Sequence, residues 1–207
     1  MITLTPITTP EKLEEYYRFR YQIYSESRLK DLLVGTNGLD KDEYDDRAWH
    51  FGWYVNGLLV GCVRFVEPDE SDTPLPMHAY LTDEAALDAV SMYITMRKAH
   101  GHRMIEASRF CLASGYRGLS NARDFVLAMD QVLHGMGIDH GLFGCTMTHK
   151  RFYQALGFNP LQSAQAIAGP GLLLGCTMCY DHALITSCGR SVMTSDGSAT
   201  QPHRQAA

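Results

Sequence analysis

The run Met104-Ile105-Glu106-Ala107-Ser108-Arg109-Phe110-Cys111-Leu112 sets a carboxylate, a hydroxyl and a guanidinium inside an apolar strand pattern. Successive side chains of a regular strand alternate faces. Glu106, Ser108 and Phe110 are therefore expected on one side, and Ala107, Arg109 and Cys111 on the other. Ionisable groups in mid-strand are unfavourable unless they are paired or open onto a wet cleft. Two readings follow: a buried Glu–Arg structural network, or a carboxylate whose pKa burial lifts to where it can exchange protons near neutral pH.

Three other stretches carry reactive types. Asp40-Lys41-Asp42-Glu43-Tyr44-Asp45-Asp46 holds five acids in seven residues. It reads as a solvated acidic loop or a cation site, although its spacing departs from the EF-hand pattern. Arg64, inside Gly61-Cys62-Val63-Arg64-Phe65, needs a carboxylate partner if buried, and Asp42, Asp45 or Glu106 can serve. His149-Lys150-Arg151-Phe152-Tyr153-Gln154-Ala155-Leu156-Gly157-Phe158 reads as an amphipathic helix stopped by glycine. The nine histidines show no ligand spacing, and Cys176-Thr177-Met178-Cys179 is a lone C-x-x-C within a strand pattern. No metal site is expected.

These residues need elements to hold them. A short strand is expected over 2–7. A helix follows from Pro10 to about Ser25, with Leu13, Tyr16, Tyr17, Arg20 and Tyr24 on one face. Residues 26–47 lack periodicity and read as a long functional loop. Trp49–Val55 and Leu58–Val66 form a hairpin about Asn56-Gly57. After a loop over 67–76 come a helix over 82–99 with Thr82 as N-cap, a strand over 103–113 and a helix over 119–136. A strand over 141–147, a short helix over 148–156 and a strand over 172–180 complete the set. This order predicts an α+β domain over 1–186, one mixed sheet flanked by helices, with residues 187–207 a disordered polar tail.

The 207 residues are 45% hydrophobic and 20% charged, with 18 Lys+Arg against 23 Asp+Glu. That composition suits one soluble domain and excludes collagen-like, disordered and disulfide-scaffold classes. The net charge of −5 argues against nucleic acid as the main partner. No window is long and apolar enough for a transmembrane segment, and no signal peptide is visible. Six cysteines without an export signal are expected to be reduced thiols in the cytoplasm.

Taken together and in order, four features resemble one family. They are Arg18-Phe19-Arg20-Tyr21-Gln22-Ile23-Tyr24, Asp42-x-x-Asp45, Arg64 and Glu106-x-Ser108-Arg109-Phe110, with the Phe-Tyr-x-x-Leu-Gly-Phe end of the last helix in support. The chain looks like the autoinducer-synthase branch of the GNAT acyltransferase superfamily, over roughly residues 3–185. That branch holds acyl-homoserine-lactone synthases and long-chain N-acyl amino acid synthases. Two departures matter. The lactone synthases place a tryptophan in the loop after the first helix, and 26–47 has none. The Q/R-x-x-G-x-G/A turn of CoA-binding relatives is replaced by Leu112-Ala113-Ser114-Gly115-Tyr116-Arg117-Gly118.

The resemblance therefore implies a GNAT-like fold and an N-acyl amino acid synthase without a permanent cofactor. Its donor is the acyl-phosphopantetheine of acyl carrier protein, and its acceptor is a free amino acid such as tyrosine. Glu106 is the expected base and Ser108 an orienting hydroxyl, with oxyanion donors on a splayed strand pair. Arg20, Asp42, Asp45, Arg64 and Arg109 form a charged network in which Arg20 or Arg64 can take the substrate carboxylate. Phe125, Val126, Met129, Val132, Leu133, Leu142, Phe143 and Met147 are candidates for an acyl tunnel. An acidic carrier protein would dock on Arg117, Lys150 and Arg151, or on Arg97, Lys98 and Arg103. The alternatives are a lactone synthase using S-adenosylmethionine, more distantly a CoA-dependent acetyltransferase, and an inactive acyl- or carrier-binding module.

Overall fold

A computed structural model describes residues 2–35, 37–68, 74–161, 165–167 and 173–185. The expected tail over 187–207 lies outside these residues. Thr9 caps the first helix, α1 (Pro10–Ser25), accepting from the Lys12 amide, with Pro10 in the first turn. Its face of Tyr16, Tyr17, Arg20 and Tyr24 is buried as the spacing predicts. Helix α2 runs from Glu84 to Ala99, and its cap is Asp83 rather than Thr82. The Asp83 carboxylate accepts from the Ala85 amide and suits the positive end of the helix. Helices α3 (Leu119–Gly135) and α4 (Met147–Ala155) follow as expected to within a residue.

Among the described residues eight strands make one mixed sheet in the order β1-β2-β3-β4-β5-β8-β6, with β7 on β8. They are β1 (Thr5–Pro6), β2 (Trp49–Val55), β3 (Leu58–Val66), β4 (Met104–Leu112), β5 (His140–Thr146), β6 (Asn159–Pro160), β7 (Gln165–Ile167) and β8 (Leu173–Asp181). Only the first of the expected strands is much shorter, because Ile2, Leu4 and Ile7 are buried by packing while pairing is limited to Thr5 and Pro6. The Asn56-Gly57 turn has both residues at positive φ, 51° and 79°, as the hairpin requires.

One pairing decides the function of the sheet. Strands β4 and β5 are parallel and bonded only from Met104↔His140 to Glu106↔Leu142. Beyond that point they part, and both line a cavity. Strand β4 stays bonded to β3 on its other side, but not regularly. Arg64 pairs with Ser108 while Cys62 pairs with Cys111, so Arg109 and Phe110 together oppose Val63. Arg109 occupies this bulge with φ +56°, a left-handed conformation seldom taken by a residue with a side chain.

The bulge corrects the expected facing. Alternation holds to Ser108 and then slips by one residue. Phe110 crosses to the α3 side, stacking on Phe125 at 4.8 Å, and Cys111 packs with Cys62 beneath α1. Arg109 stays with Ser108 on the side of the acidic loop. The bulge thus brings two polar side chains to one face of β4.

Candidate active site

Arg20, Arg64 and Arg109 interlock with Asp40, Asp42 and Asp45, and no side chain among the six is more than 8% exposed. Arg20 binds Asp40 through Nη2 at 2.8 Å and Asp45 through Nη1 at 2.6 Å, with Tyr16 and Tyr17 against its guanidinium. Arg64 reaches Asp42 at 2.5 Å and Asp45 at 3.1 Å through Nη1, while its Nε donates to Ser108 Oγ at 3.0 Å. Arg109 lies 3.1 Å from Asp40 and 3.5 Å from Asp42, and donates to the Leu32 carbonyl. Three acids of the stretch are therefore the anionic half of a buried lattice, while Glu43 and Asp46 stay exposed to solvent.

The loop over 26–47 carries that half. It holds two 3₁₀ turns, Lys30–Leu32 and Glu43–Arg47, the second fixed by a reciprocal cap in which Asp42 accepts from the Tyr44 amide and Asp45 from the Asp42 amide. Asp45 also accepts from His50 Nε2 at 3.0 Å. Burial pushes the Asp45 carboxyl up. The His50 bond and the charges of Arg20 and Arg64 outweigh burial and hold it well below the usual range. Asp40 and His50 belong to this lattice without having been foreseen.

Glu106 stands apart from the ion pairs. It is 2% exposed, and its Oε2 accepts the Met77 amide at 2.9 Å. Burial raises its pKa from 4.5 to about 8, against the lowering pull of the Met77 hydrogen bond and of Arg64 and Arg109. The expected partnership of Arg64 with Asp42 and Asp45 is present. No ion pair joins Glu106 to Arg64 or Arg109 among the described residues. A buried carboxylate poised to trade a proton near neutrality sits where the sheet opens.

The cavity between the parted strands has a volume of about 660 Å³. Arg64, Glu106, Ser108 and Arg109 line it, as do Leu142, Phe143, Val126, Met129 and Leu133 from the expected tunnel set. Phe125, Val132 and Met147 do not. Phe125 lies behind Phe110 and Met147 is exposed. Phe152, Tyr153, Phe158 and Tyr180 complete the apolar wall. On the loop side it is faced by Tyr24, Leu29, Leu32, Met77, Tyr80 and Leu81. Arg20 does not reach it, since its guanidinium is committed to Asp40 and Asp45. Of the expected docking residues, exposed Arg117 lies on the cavity wall and Arg151 is exposed on α4 beside half-buried Lys150. Arg97 and Arg103 sit at the other end, where β4 and β5 still pair. Arg97 contacts His140, and Arg103 is held by Glu67 and the Met136 carbonyl.

The cavity thus lies in a splayed parallel strand pair, with a buried carboxylate at the fork. The chain belongs to the acetyltransferase (GNAT) domain family, whose model matches residues 19–125. Its fold is shared with FeeM, an N-acyl amino acid synthase from uncultured soil microbes: TM-score 0.62 and 14% identity over 90% of this chain and 93% of that one. The acyl-homoserine-lactone synthase LasI superposes with TM-score 0.64 at 14% identity, covering 88% and 89%. BjaI, a CoA-dependent acyl-homoserine lactone synthase, gives 0.62 at 18% identity, covering 93% and 89%. The fold is thus that of the autoinducer-synthase-like GNAT enzymes. A search of curated protein sequences found no match. No helix among the described residues is long and apolar enough to cross a membrane.

Proposed function

We propose that the protein is an N-acyl amino acid synthase, moving a long-chain acyl group from acyl carrier protein to the α-amine of a free amino acid. The observation that carries this is Glu106: a buried base with a pKa near 8 at the fork of the apolar cavity. The acceptor reacts as the neutral amine: its nitrogen bonds to the thioester carbonyl carbon as the Glu106 carboxylate takes its N–H proton, and the tetrahedral oxyanion is held by backbone N–H groups freed where β4 and β5 part. Collapse breaks the C–S bond, and the proton on Glu106 passes to the departing thiolate. Ser108, held by Arg64, orients the amine or a bridging water.

Arg64 is the cavity residue suited to the acceptor carboxylate. Its Nη2 is buried without a hydrogen-bond partner, and a carboxylate there would satisfy it. The acceptor side chain then faces Tyr24, Leu29, Leu32, Met77, Tyr80 and Leu81, an apolar and aromatic surface that suits tyrosine or another uncharged side chain. S-adenosylmethionine acylation remains the second reading, since LasI and BjaI are lactone synthases of the same fold.

A carrier-protein donor is favoured by the β4–α3 turn, where a 3₁₀ segment at Ser114–Tyr116 and an Arg117–Leu112 hydrogen bond stand in place of a glycine-rich phosphate cradle. The arm enters beside Arg117 and α4, which assigns Arg117, Lys150 and Arg151 to docking. Such an enzyme would work in the cytoplasm, where acyl carrier protein and reduced thiols are found.

Purified protein incubated with palmitoyl carrier protein and single amino acids should yield an N-acyl amino acid without S-adenosylmethionine. The same acyl group on CoA should be turned over far more slowly. Charge reversal at Lys150 and Arg151 should raise KM for the carrier substrate with little change in kcat. Release of methylthioadenosine with a lactone product, and no acylated free amino acid, would select the second reading. Equal efficiency with acyl-CoA would remove the carrier protein from the account. No transfer with any donor would leave an inactive acyl- or carrier-binding module.

A further inference from the structure

At the closed end of the cavity, where β4 and β5 pair, a second group of titratable residues gathers on the outer surface. His134 lies in the last turn of α3, Asp139 precedes β5 and His182 follows β8. One ligating atom from each lies within 4.8 Å of the other two. The two imidazoles are parallel to within 5°, with ring centroids 3.9 Å apart. His182 Nδ1 is 2.8 Å from Asp130 Oδ1, and His134 Nδ1 is 2.8 Å from Asp139 Oδ1.

We propose that His134, Asp139 and His182 bind a divalent transition-metal ion such as Zn²⁺. Two imidazoles and a carboxylate are the donors such ions prefer, whereas Mg²⁺ and Ca²⁺ favour all-oxygen sites. Asp130 supplies what metal-bound histidines commonly have, a carboxylate on the other ring nitrogen that fixes tautomer and orientation. It is 5% exposed and also accepts from Tyr180 Oη at 2.9 Å. With Nδ1–H of His182 committed inward, Nε2 is the ligating nitrogen. Ligation requires the two rings to turn out of their parallel stack and the His134–Asp139 contact to open, so that both lone pairs and the carboxylate converge at the bond length of about 2.0–2.2 Å that zinc takes with nitrogen and oxygen ligands. Water completes the shell.

The site ties the end of α3 to the end of β8. Both elements wall the cavity, and Asp130 and Tyr180 line it directly. The ion therefore clamps the closed end of the cavity from outside and takes no part in acyl transfer, so the proposal stands independently of the donor and acceptor.

Untagged full-length protein, stripped with EDTA and desalted, should bind Zn²⁺ in calorimetry at one saturable site lost in His134→Ala/His182→Ala. Its Tm should rise with Zn²⁺ concentration and return on adding EDTA, because a ligand of the folded state stabilises by mass action. Cu²⁺ at the site should show nitrogen hyperfine splitting in its EPR spectrum, absent from the double variant. His100→Ala/His102→Ala, which removes the other paired histidines, should leave the titration unchanged. If the alanine variant does not fold by circular dichroism, His134→Gln/His182→Gln replaces it. Absence of saturable binding below about 100 µM, or binding that survives loss of both histidines, would overturn the site.

Discussion

Glu106→Gln should lower kcat by roughly 10²–10⁴-fold, the range expected for loss of a general base, while the protein stays folded. The amide keeps the size of the acid, and its oxygen still accepts the Met77 amide that Oε2 holds at 2.9 Å. Burial is the reason to expect so clean a separation. The wild-type carboxyl is 2% exposed and titrates at about 8 rather than 4.5. The folded state therefore binds more protons than the unfolded state between those values, and its stability falls as pH rises through that window. The amide carries no such burden, so the variant should match the wild type near pH 5 and exceed it above pH 8. A stable variant with lost turnover supports the base. A collapsed variant would instead make Glu106 a structural member of the strand.

The same pKa sets the pH profile. The base works as the carboxylate, so kcat/KM of the free enzyme should climb about tenfold per pH unit below 8 and level off above it. The limb should vanish in Glu106→Gln, leaving a residual rate with little dependence on pH in that range. A wild-type profile already flat from pH 6 to 9 would sink the assignment, whatever the variant did.

Much of this site could be read from residue types alone. A glutamate and an arginine in one apolar strand, and an arginine in the next, demanded either partners or a cleft, and the fold supplies both. The hairpin was legible because Asn-Gly accepts positive φ at both turn positions. What escaped is backbone irregularity. The turn alone would place Val63 opposite His50, but a shift between Trp53 and Tyr54 pairs His50 with Arg64 and brings it to Asp45. The bulge at Arg109 likewise sends that arginine to the face of Ser108 and Phe110 away from it, against strict alternation. Neither has a local signal, since the residues involved have ordinary strand preferences. Asp40 was hidden differently. Within a run of acids nothing distinguishes the member that turns inward from Asp46, which stays at the surface paired with Lys41. Tyr80 and Met77 reach the cavity from a segment whose composition says only loop.

Arg20→Met should lower the unfolding free energy by about 3–5 kcal/mol, the effect of removing one partner from a buried ion pair. For a chain of this size that corresponds to a fall of about 6–20 °C in Tm. Methionine fills much of the space between Tyr16 and Tyr17, so lost packing is a minor part. The larger part is Asp40 and Asp45, left buried with Arg109 and Arg64 as their remaining cations. The neighbouring pair on the same helix calibrates the result. Arg18 and Glu14 also meet at 2.6 Å, but at 60% and 57% exposure, and Arg18→Met should change stability by less than about 1 kcal/mol. Equal distance, different burial: the contrast isolates desolvation. Acid should reproduce the loss in the wild type. Asp45 is held well below its usual range, so its contribution is complete above the unfolded carboxylate pKa of about 3.9 and fades as pH falls below it. Because the lattice pins the loop over 26–47 against the sheet, amide hydrogen exchange in that loop should speed up in Arg20→Met before the hairpin amides are affected. Similar Tm values for the Arg20 and Arg18 variants would show that the buried lattice contributes no more than a surface pair, and the loop would then have to be held by something other than its charges.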